Sequence, residues 1–202
     1  VAENSAPTII HSDVVGGGSR GLGFYSPTSN LYVFVDRLVA NVLVVDADSP
    51  YTNGLGFLTA GLYECINSEY CPTNDTVWVV NSLNPEIYVF DVGNLTTVTI
   101  SMAVFLPVGE TSIKAITYNS DTDQIIVCSE NYAYTFNPTD IVPSSITALD
   151  VGLPDCGQLV YIPNVNRYGF MEDAFFSDAY FLNPDFTIQS IDTTIGGDPQ
   201  PS

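Results

Sequence analysis

The stretch Lys114–Val127 reads KAITYNSDTDQIIV, which is a strand-like run ending in Tyr118, a polar turn and a second strand-like run. It aligns without a gap with GLGFYSPTSNLYVF (Gly21–Phe34) and with GQLVYIPNVNRYGF (Gly157–Phe170). A fourth copy, GLYECINSEYCPTNDTVWV (Gly61–Val79), fits if its turn carries an insertion. Self-similarity at a fixed period is the sequence signature of repeat architectures.

A second landmark follows each hairpin, where a third strand-like run ends at an aspartate or asparagine. These residues recur at intervals of 45, 46 and 46 positions. They are Asp46, Asp91, Asn137 and Asn183. A fourth β-rich run closes each unit, and no window shows the 3.6-residue period of a helix. We therefore predict an all-β fold, a β-propeller with about four blades of four antiparallel strands.

The repeat divides the chain into an N-terminal arm with one strand (1–20), blades at about 21–60, 61–109, 110–152 and 153–195, and a C-terminal tail (196–202). The arm contains TIIHSDVVGG, which resembles TIQSIDTTIGG in the outer strand of the last unit. Three interpretations follow. The chain is part of a larger propeller, a compact four-bladed propeller with an arm, or a propeller whose arm pairs with the sheet edge of another copy.

The charge balance excludes several classes of function. The chain of 202 residues has 4 basic and 23 acidic residues and a net charge of -19. Such a field repels nucleic acid and anionic membrane surfaces. Charged residues are only 13% of the chain and hydrophobic residues are 46%, so a folded domain is expected rather than an acidic disordered tail. No apolar run reaches the roughly 18–20 residues that span a bilayer, so no membrane insertion is expected.

Four cysteines, an even number, favour an oxidising compartment. We predict the disulfides Cys65–Cys71 and Cys128–Cys156, and buried free thiols are the alternative. The single histidine, His11, lies far along the chain from every cysteine and no Cys-x-x-Cys spacing occurs, so a zinc site is not expected.

Two sequons for N-glycosylation, at Asn74 and Asn94, also fit an extracellular or cell-surface protein. The chain begins with Val1 rather than methionine, which fits either a cleaved signal peptide or a longer protein. We therefore expect a secreted location.

The turn of the opening stretch contains a candidate calcium site. Asn119, Asp121 and Asp123 alternate as oxygen ligands do, but the distal glycine and glutamate of a calcium-binding loop are absent. The matching turns SPTSN (Ser26–Asn30) and IPNVN (Ile162–Asn166) have no acidic residue. A weak calcium site and a solvated turn are both consistent with this pattern, and no other cofactor is predicted.

No catalytic residue is predicted. Hydrolytic triads need a base, and His11 in the arm is the only histidine. Glycoside hydrolysis needs two converging carboxylates. Glu64, Glu110 and Asp155 lie near predicted blade ends and are the candidates for that alternative.

One blade resembles a known group of propeller repeats. The segment Asp75–Gly109 is similar to the repeats named for a Tyr-Val-Thr-Asn signature, with VWVVN (Val77–Asn81) in the signature position. IYVFD (Ile87–Asp91) matches the following strand of the family and LPVG (Leu106–Gly109) its bridge to the next blade. The other three blades match loosely. The resemblance implies an often extracytoplasmic propeller used for binding, and it brings no catalytic residues.

Aromatic residues are abundant, with 12 tyrosines and 11 phenylalanines. Some are expected on an exposed surface for protein or sugar contact, and packing between blades is the alternative. We predict a non-enzymatic extracellular structural or adhesive module that mediates protein–protein assembly in a surface filament, envelope or virion. Its partners would include copies of itself through the arm. A carbohydrate- or ligand-binding propeller and a fragment of a larger propeller enzyme are the alternatives.

Overall fold

The computed structural model describes residues 22–35, 41–48, 54–58, 65–81, 84–149, 156–172 and 179–192. Within these residues the chain forms β-strands and two short 3-10 turns, and the strands pair antiparallel in four sheets of four. The all-β propeller prediction is confirmed. The described residues contain no helix long and apolar enough to cross a membrane. The predicted arm (1–20) and tail (196–202) lie outside the described residues.

Each sheet is one blade, and its strands follow one another in chain order. Blade 1 contains β1 (Leu22–Ser26), β2 (Leu31–Val35), β3 (Asn41–Asp46) and β4 (Gly54–Leu58). Blade 2 contains β5 (Cys65–Cys71), β6 (Thr76–Asn81), β7 (Glu86–Asp91) and β8 (Thr96–Ser101). Blade 3 contains β9 (Ile113–Asn119), β10 (Gln124–Ser129), β11 (Tyr132–Phe136) and β12 (Pro143–Ala148). Blade 4 contains β13 (Cys156–Ile162), β14 (Arg167–Glu172), β15 (Ala179–Leu182) and β16 (Ile188–Asp192).

In each blade, the turn between the first two strands ends in a residue whose backbone has the left-handed conformation, called the left-handed residue below. The φ angles there are 54° at Asn30, 53° at Asp75, 52° at Asp123 and 48° at Asn166. Asparagine and aspartate tolerate this conformation better than other residues with a side chain. All four residues stand five positions after the tyrosine of their hairpin, so the four turns share one geometry.

This geometry corrects the predicted alignment of blade 2. Tyr70, five residues before Asp75, is the tyrosine equivalent to Tyr118, and the repeat has no insertion. The segment from Cys65 to Cys71 is not an enlarged loop but the first strand itself, paired with β6.

The third-strand landmarks are turn residues, as their repetition suggested. Asp46 accepts the backbone N–H of Asp48 at 2.8 Å, and Asp91 accepts that of Asn94 at 2.9 Å. Such bonds from a side chain to a backbone amide two or three residues on favour a tight turn after the strand.

Successive blades pack face to face through three separate cores. The core between blades 1 and 2 is rich in valine, for example Val33 and Val79. The core between blades 2 and 3 surrounds Trp78, whose ring centroid lies 5.7 Å from that of Phe136. Small residues of blade 3 face aromatic residues of blade 4 in the third core. Among the described residues, no such core joins blade 4 to blade 1, so these residues form an open arc of four blades.

The first strands of blades 2 to 4 lie at the axis of this arc. β9 contacts β5 on one side and β13 on the other, whereas the fourth strands are not in contact with one another to a comparable extent. β5, β9 and β13 therefore line a central channel, and the fourth strands form the outer edges of blades 2 to 4.

Candidate functional site

Each hairpin is closed by a bond from its tyrosine to its left-handed residue. The hydroxyl groups of Tyr70 and Tyr118 donate to Asp75 and Asp123, each at 2.8 Å. The same bond joins Tyr25 to Asn30 at 3.0 Å and Tyr161 to Asn166 at 3.1 Å. The repeated tyrosine is therefore part of the scaffold.

The turn acids also join one blade to the next. Ser26 of blade 1 donates to Asp75 of blade 2 at 2.5 Å, and Ser29 donates to the second oxygen of the same carboxylate. Thr73 of blade 2 donates to Asp123 of blade 3. We call the edge of the arc that carries these hairpin turns the rim. Hydrogen bonds to a carboxylate are stronger than those between neutral groups, so the bonds at the rim fix the spacing of the blades.

The predicted calcium candidates have the same role. Asn119 donates to the hydroxyl of Tyr168 in blade 4 at 2.7 Å, and its carbonyl accepts the backbone N–H of Asp121 at 3.0 Å. Asp121 accepts the hydroxyl of Tyr161 at 2.7 Å. Burial of Tyr161, together with this carboxylate, raises the pKa of its phenol to about 12. Within the described part of the chain, no three His, Cys, Asp or Glu side chains could together hold a metal ion. Calcium binding at this turn stays a prediction, and it would compete with these bonds.

The described cysteines do not form the predicted disulfides. Cys71 and Cys128 are buried free thiols. Cys65 and Cys71 stand at opposite ends of one strand, so at about 3.3 Å per residue their Cα atoms are about 20 Å apart. A disulfide needs these atoms within about 7 Å, so this pairing was wrong. The side chain of Cys156 lies outside the described residues, and Cys128 packs instead in the core between blades 3 and 4. The bridge between them is not formed.

The two sequons differ in accessibility. The Asn74 amide donates to the carbonyl of Pro138 in blade 3 at 2.7 Å, a bond that a glycan on this nitrogen would replace. Asn94 is exposed in the turn after β7 and bonds only within that turn, to Asp91. Glycosylation stays a prediction, and Asn94 is the accessible acceptor.

Of the acids considered for glycoside hydrolysis, Glu110 has a structural role. Its carboxylate accepts hydrogen bonds from the backbone N–H of Glu130 at 3.1 Å and from the side-chain amide of Asn131. These two bonds hold the turn between β10 and β11. Glu64 and Asp155 lie outside the described residues, as does His11.

The outer face of blade 1 is an exposed aromatic surface. We call it the aromatic end face, formed by Tyr25, Tyr32, Phe34 and Leu43, whereas Val45 on the same side of the sheet is buried. The ring centroids of Tyr25 and Tyr32 are 5.1 Å apart, and those of Tyr32 and Phe34 are 6.4 Å apart. Tyr32 is 37% exposed, whereas its equivalents in the other blades are covered by the preceding blade, with Tyr168 only 2% exposed. Its residue types are those of an internal face, but among the described residues no other blade packs against it.

The outer face of blade 4 is the corresponding open surface at the other end. We call it the small-residue end face, formed by Gln158, Val160, Gly169, Met171, Ala179 and Phe181. Met171 is 39% exposed, whereas its equivalent in blade 3, Cys128, is fully buried by blade 4. Val160 is also exposed. The aromatic and small-residue end faces were not predicted from the sequence.

A pocket of about 210 Å³ opens in the central channel beside the small-residue end face. Asn67, Ser68 and Glu69 of β5 line it together with Val160 and Met171 of blade 4. Burial raises the pKa of the Glu69 carboxyl to about 7, although backbone N–H groups of Tyr70 and Tyr118 oppose the shift. The Ser68 hydroxyl is buried without a hydrogen-bond partner in the described structure. The pocket therefore has polar groups on the β5 side and apolar side chains on the blade 4 side.

The fold and these surfaces define the class as a β-propeller with two unlike open end faces. A chain of a nidogen/laminin complex superposes on 94% of this chain and 68% of its own length, with a TM-score of 0.69 and 11% identity. Hydrazine synthase from Kuenenia stuttgartiensis superposes on 92% of this chain and 52% of its own, with a TM-score of 0.63 and 12% identity. This chain thus spans about two-thirds of the first structure and about half of the second.

At such identity these similarities establish the fold alone. No family profile matches the chain, and no curated protein is similar to it in sequence. The resemblance of Asp75–Gly109 to the Tyr-Val-Thr-Asn repeats therefore stays a prediction.

Proposed function

We propose that this chain is a non-enzymatic, extracellular structural or adhesive module that mediates protein–protein assembly in a surface filament, envelope or virion. The exposure of both end faces carries this proposal. Tyr32 and Met171 occupy repeat positions that are buried wherever a neighbouring blade is present. Contiguous apolar surface of this kind marks a site of protein contact.

The charge distribution supports the same function. None of the described side chains on either end face is acidic, although the chain has 23 acidic residues and a net charge of -19. Interface centres are typically depleted of charge and enriched in Tyr, Phe and Met. The resemblance to Tyr-Val-Thr-Asn repeats and the accessible sequon at Asn94 support an extracellular location.

Light scattering coupled to size-exclusion chromatography, with negative-stain imaging, tests the proposal. The expected result is a particle larger than the 21.8 kDa single chain, whose size depends on protein concentration. A single chain at all concentrations, with both end faces still reactive to solvent probes, would contradict assembly through these faces.

A carbohydrate- or small-ligand-binding propeller is the second candidate, and the channel pocket favours it. Glu69 with a pKa near 7 and the unpartnered Ser68 hydroxyl provide polar groups, and Val160 and Met171 provide an apolar wall. A glycan array probed with the wild-type chain and with Glu69→Gln tests this function. Binding that is lost in Glu69→Gln supports it, and no binding above background contradicts it.

A further inference from the structure

We propose that the partner of each end face is a second copy of this chain, bound head to tail so that blade 4 of one copy packs on blade 1 of the other. This inference rests on the proposed assembly function and names its partner. The contact would repeat the internal interface between blades 3 and 4.

The aromatic end face matches the face that blade 4 presents to blade 3. Tyr25, Tyr32 and Phe34 occupy the repeat positions of Tyr161, Tyr168 and Phe170, and the residue types are identical at all three. Blades 2 and 3 differ, because they have aliphatic residues at the second and third positions. They are Val77 and Val79 in blade 2 and Ile125 and Val127 in blade 3.

The small-residue end face matches the face that blade 3 presents to blade 4. The aromatic rings of blade 4 pack in one core with Ala133, Cys128 and Ile126. Their equivalents on the small-residue end face are Ala179, Met171 and Gly169. Ala179 keeps the small side chain, Met171 keeps a sulfur atom, and Gly169 leaves more room than Ile126. Gln158 and Phe181 stand where blade 3 has the smaller Ala115 and Thr135. The aromatic end face therefore repeats the blade 4 residues fully, and the small-residue end face repeats the blade 3 residues in part.

The rim supplies a polar contact as well. Asn164 is exposed and occupies the repeat position of Asp121, which accepts the hydroxyl of Tyr161. In the head-to-tail contact, Tyr25 takes the place of Tyr161, and the Asn164 carbonyl is the acceptor. An uncharged acceptor suits a contact between two copies that each carry a charge of -19.

Two copies provide eight blades, which is within the usual range of four to eight for a closed propeller. Because the two faces are unlike, the contact is heterologous, and it closes when the second copy returns to the first. The expected particle therefore has twice the mass of one chain, about 44 kDa.

Glutamate substitutions at each end test the geometry by sedimentation velocity. Tyr32→Glu disables the aromatic end face and Met171→Glu the small-residue end face. Both residues are exposed in the single chain, so folding is retained, which far-UV circular dichroism checks. Each variant alone is expected to sediment as a single chain, with the dissociation constant raised at least about 100-fold.

An equimolar mixture of the two variants distinguishes head-to-tail contact from other arrangements. In a particle with one copy of each variant, the unsubstituted small-residue end face of Tyr32→Glu can pack on the unsubstituted aromatic end face of Met171→Glu. The mixture is therefore expected to form two-chain particles that neither variant forms alone. Val108→Glu, a change at an exposed apolar residue outside both faces, is the matched control and should assemble as wild type does.

The possible failures are separable. If the wild type assembles but one variant still dimerises alone, or the mixture stays dissociated, the head-to-tail contact is wrong and the assembly function stands. If the wild type is a single chain at every concentration, both are wrong.

Discussion

Truncating equivalent tyrosines in blades 4 and 1 should have very different effects on stability. Tyr168 is buried between blades 3 and 4, with ring centroids of Tyr161 and Phe186 at 5.3 Å and 5.0 Å. Its hydroxyl also accepts the Asn119 amide at 2.7 Å. Removing a buried aromatic ring costs about 3–4 kcal/mol, and leaving a buried amide unpaired costs about 1 kcal/mol more. We expect Tyr168→Ala to lower the free energy of unfolding by about 4–5 kcal/mol.

Tyr32→Ala should lower it by about 1–2 kcal/mol, because the side chain is 37% exposed in the single chain and loses less transfer free energy than a fully buried one. Urea denaturation followed by the fluorescence of Trp78, the single tryptophan, measures both variants, at concentrations where the chains are separate. Similar losses for the two variants would refute the reasoning, because they would mean that Tyr32 is covered as completely as Tyr168.

Three further variants or treatments test other parts of the structure. Because burial raises the pKa of Glu69 from 4.5 to about 7, the folded state loses about 3 kcal/mol of stability between pH 4.5 and pH 7, and Glu69→Gln should abolish this loss in urea titrations across that range. Asp123→Ala removes the acceptor of Tyr118 and places alanine in a left-handed conformation, so we expect a loss of about 2 kcal/mol in thermal melts, whereas Asp123→Asn should cost under about 1 kcal/mol. Cys71 and Cys128 should react with a thiol reagent only after unfolding, and a disulfide mapped to either of these two residues in the non-reduced chain would contradict the free thiols.

Repetition made the fold predictable from the sequence. The recurrence of Asp46, Asp91 and their equivalents marked the end of every third strand, because in blades 1 to 3 this side chain accepts a backbone N–H of the turn that follows. Blade 2 was misaligned because its first strand was taken to begin at Gly61, which places Cys65 opposite Tyr118. The residue five positions after the tyrosine is the better marker, because only Asp75 there fits the left-handed turn.

The purpose of the acidic turn could not be predicted, because it depends on contacts between blades. The partner of Asp121 is Tyr161, which is in the next blade and far along the chain. The exposure of the end faces could not be predicted from the sequence for a similar reason. Tyr32 and Tyr168 are the same residue at the same repeat position, and only the presence or absence of a neighbouring blade distinguishes them.

Oxidative footprinting of the two methionines across protein concentrations tests the central claim most directly. Met171 lies on the small-residue end face, and Met102 is fully buried in the core between blades 2 and 3, where it serves as an internal control. We predict that Met171 is oxidised in dilute solution while Met102 is protected, and that Met171 and Tyr32 lose reactivity together as the concentration rises. Protection of Met171 in the dilute single chain, or unchanged reactivity at every concentration, would contradict an open arc that assembles through its ends.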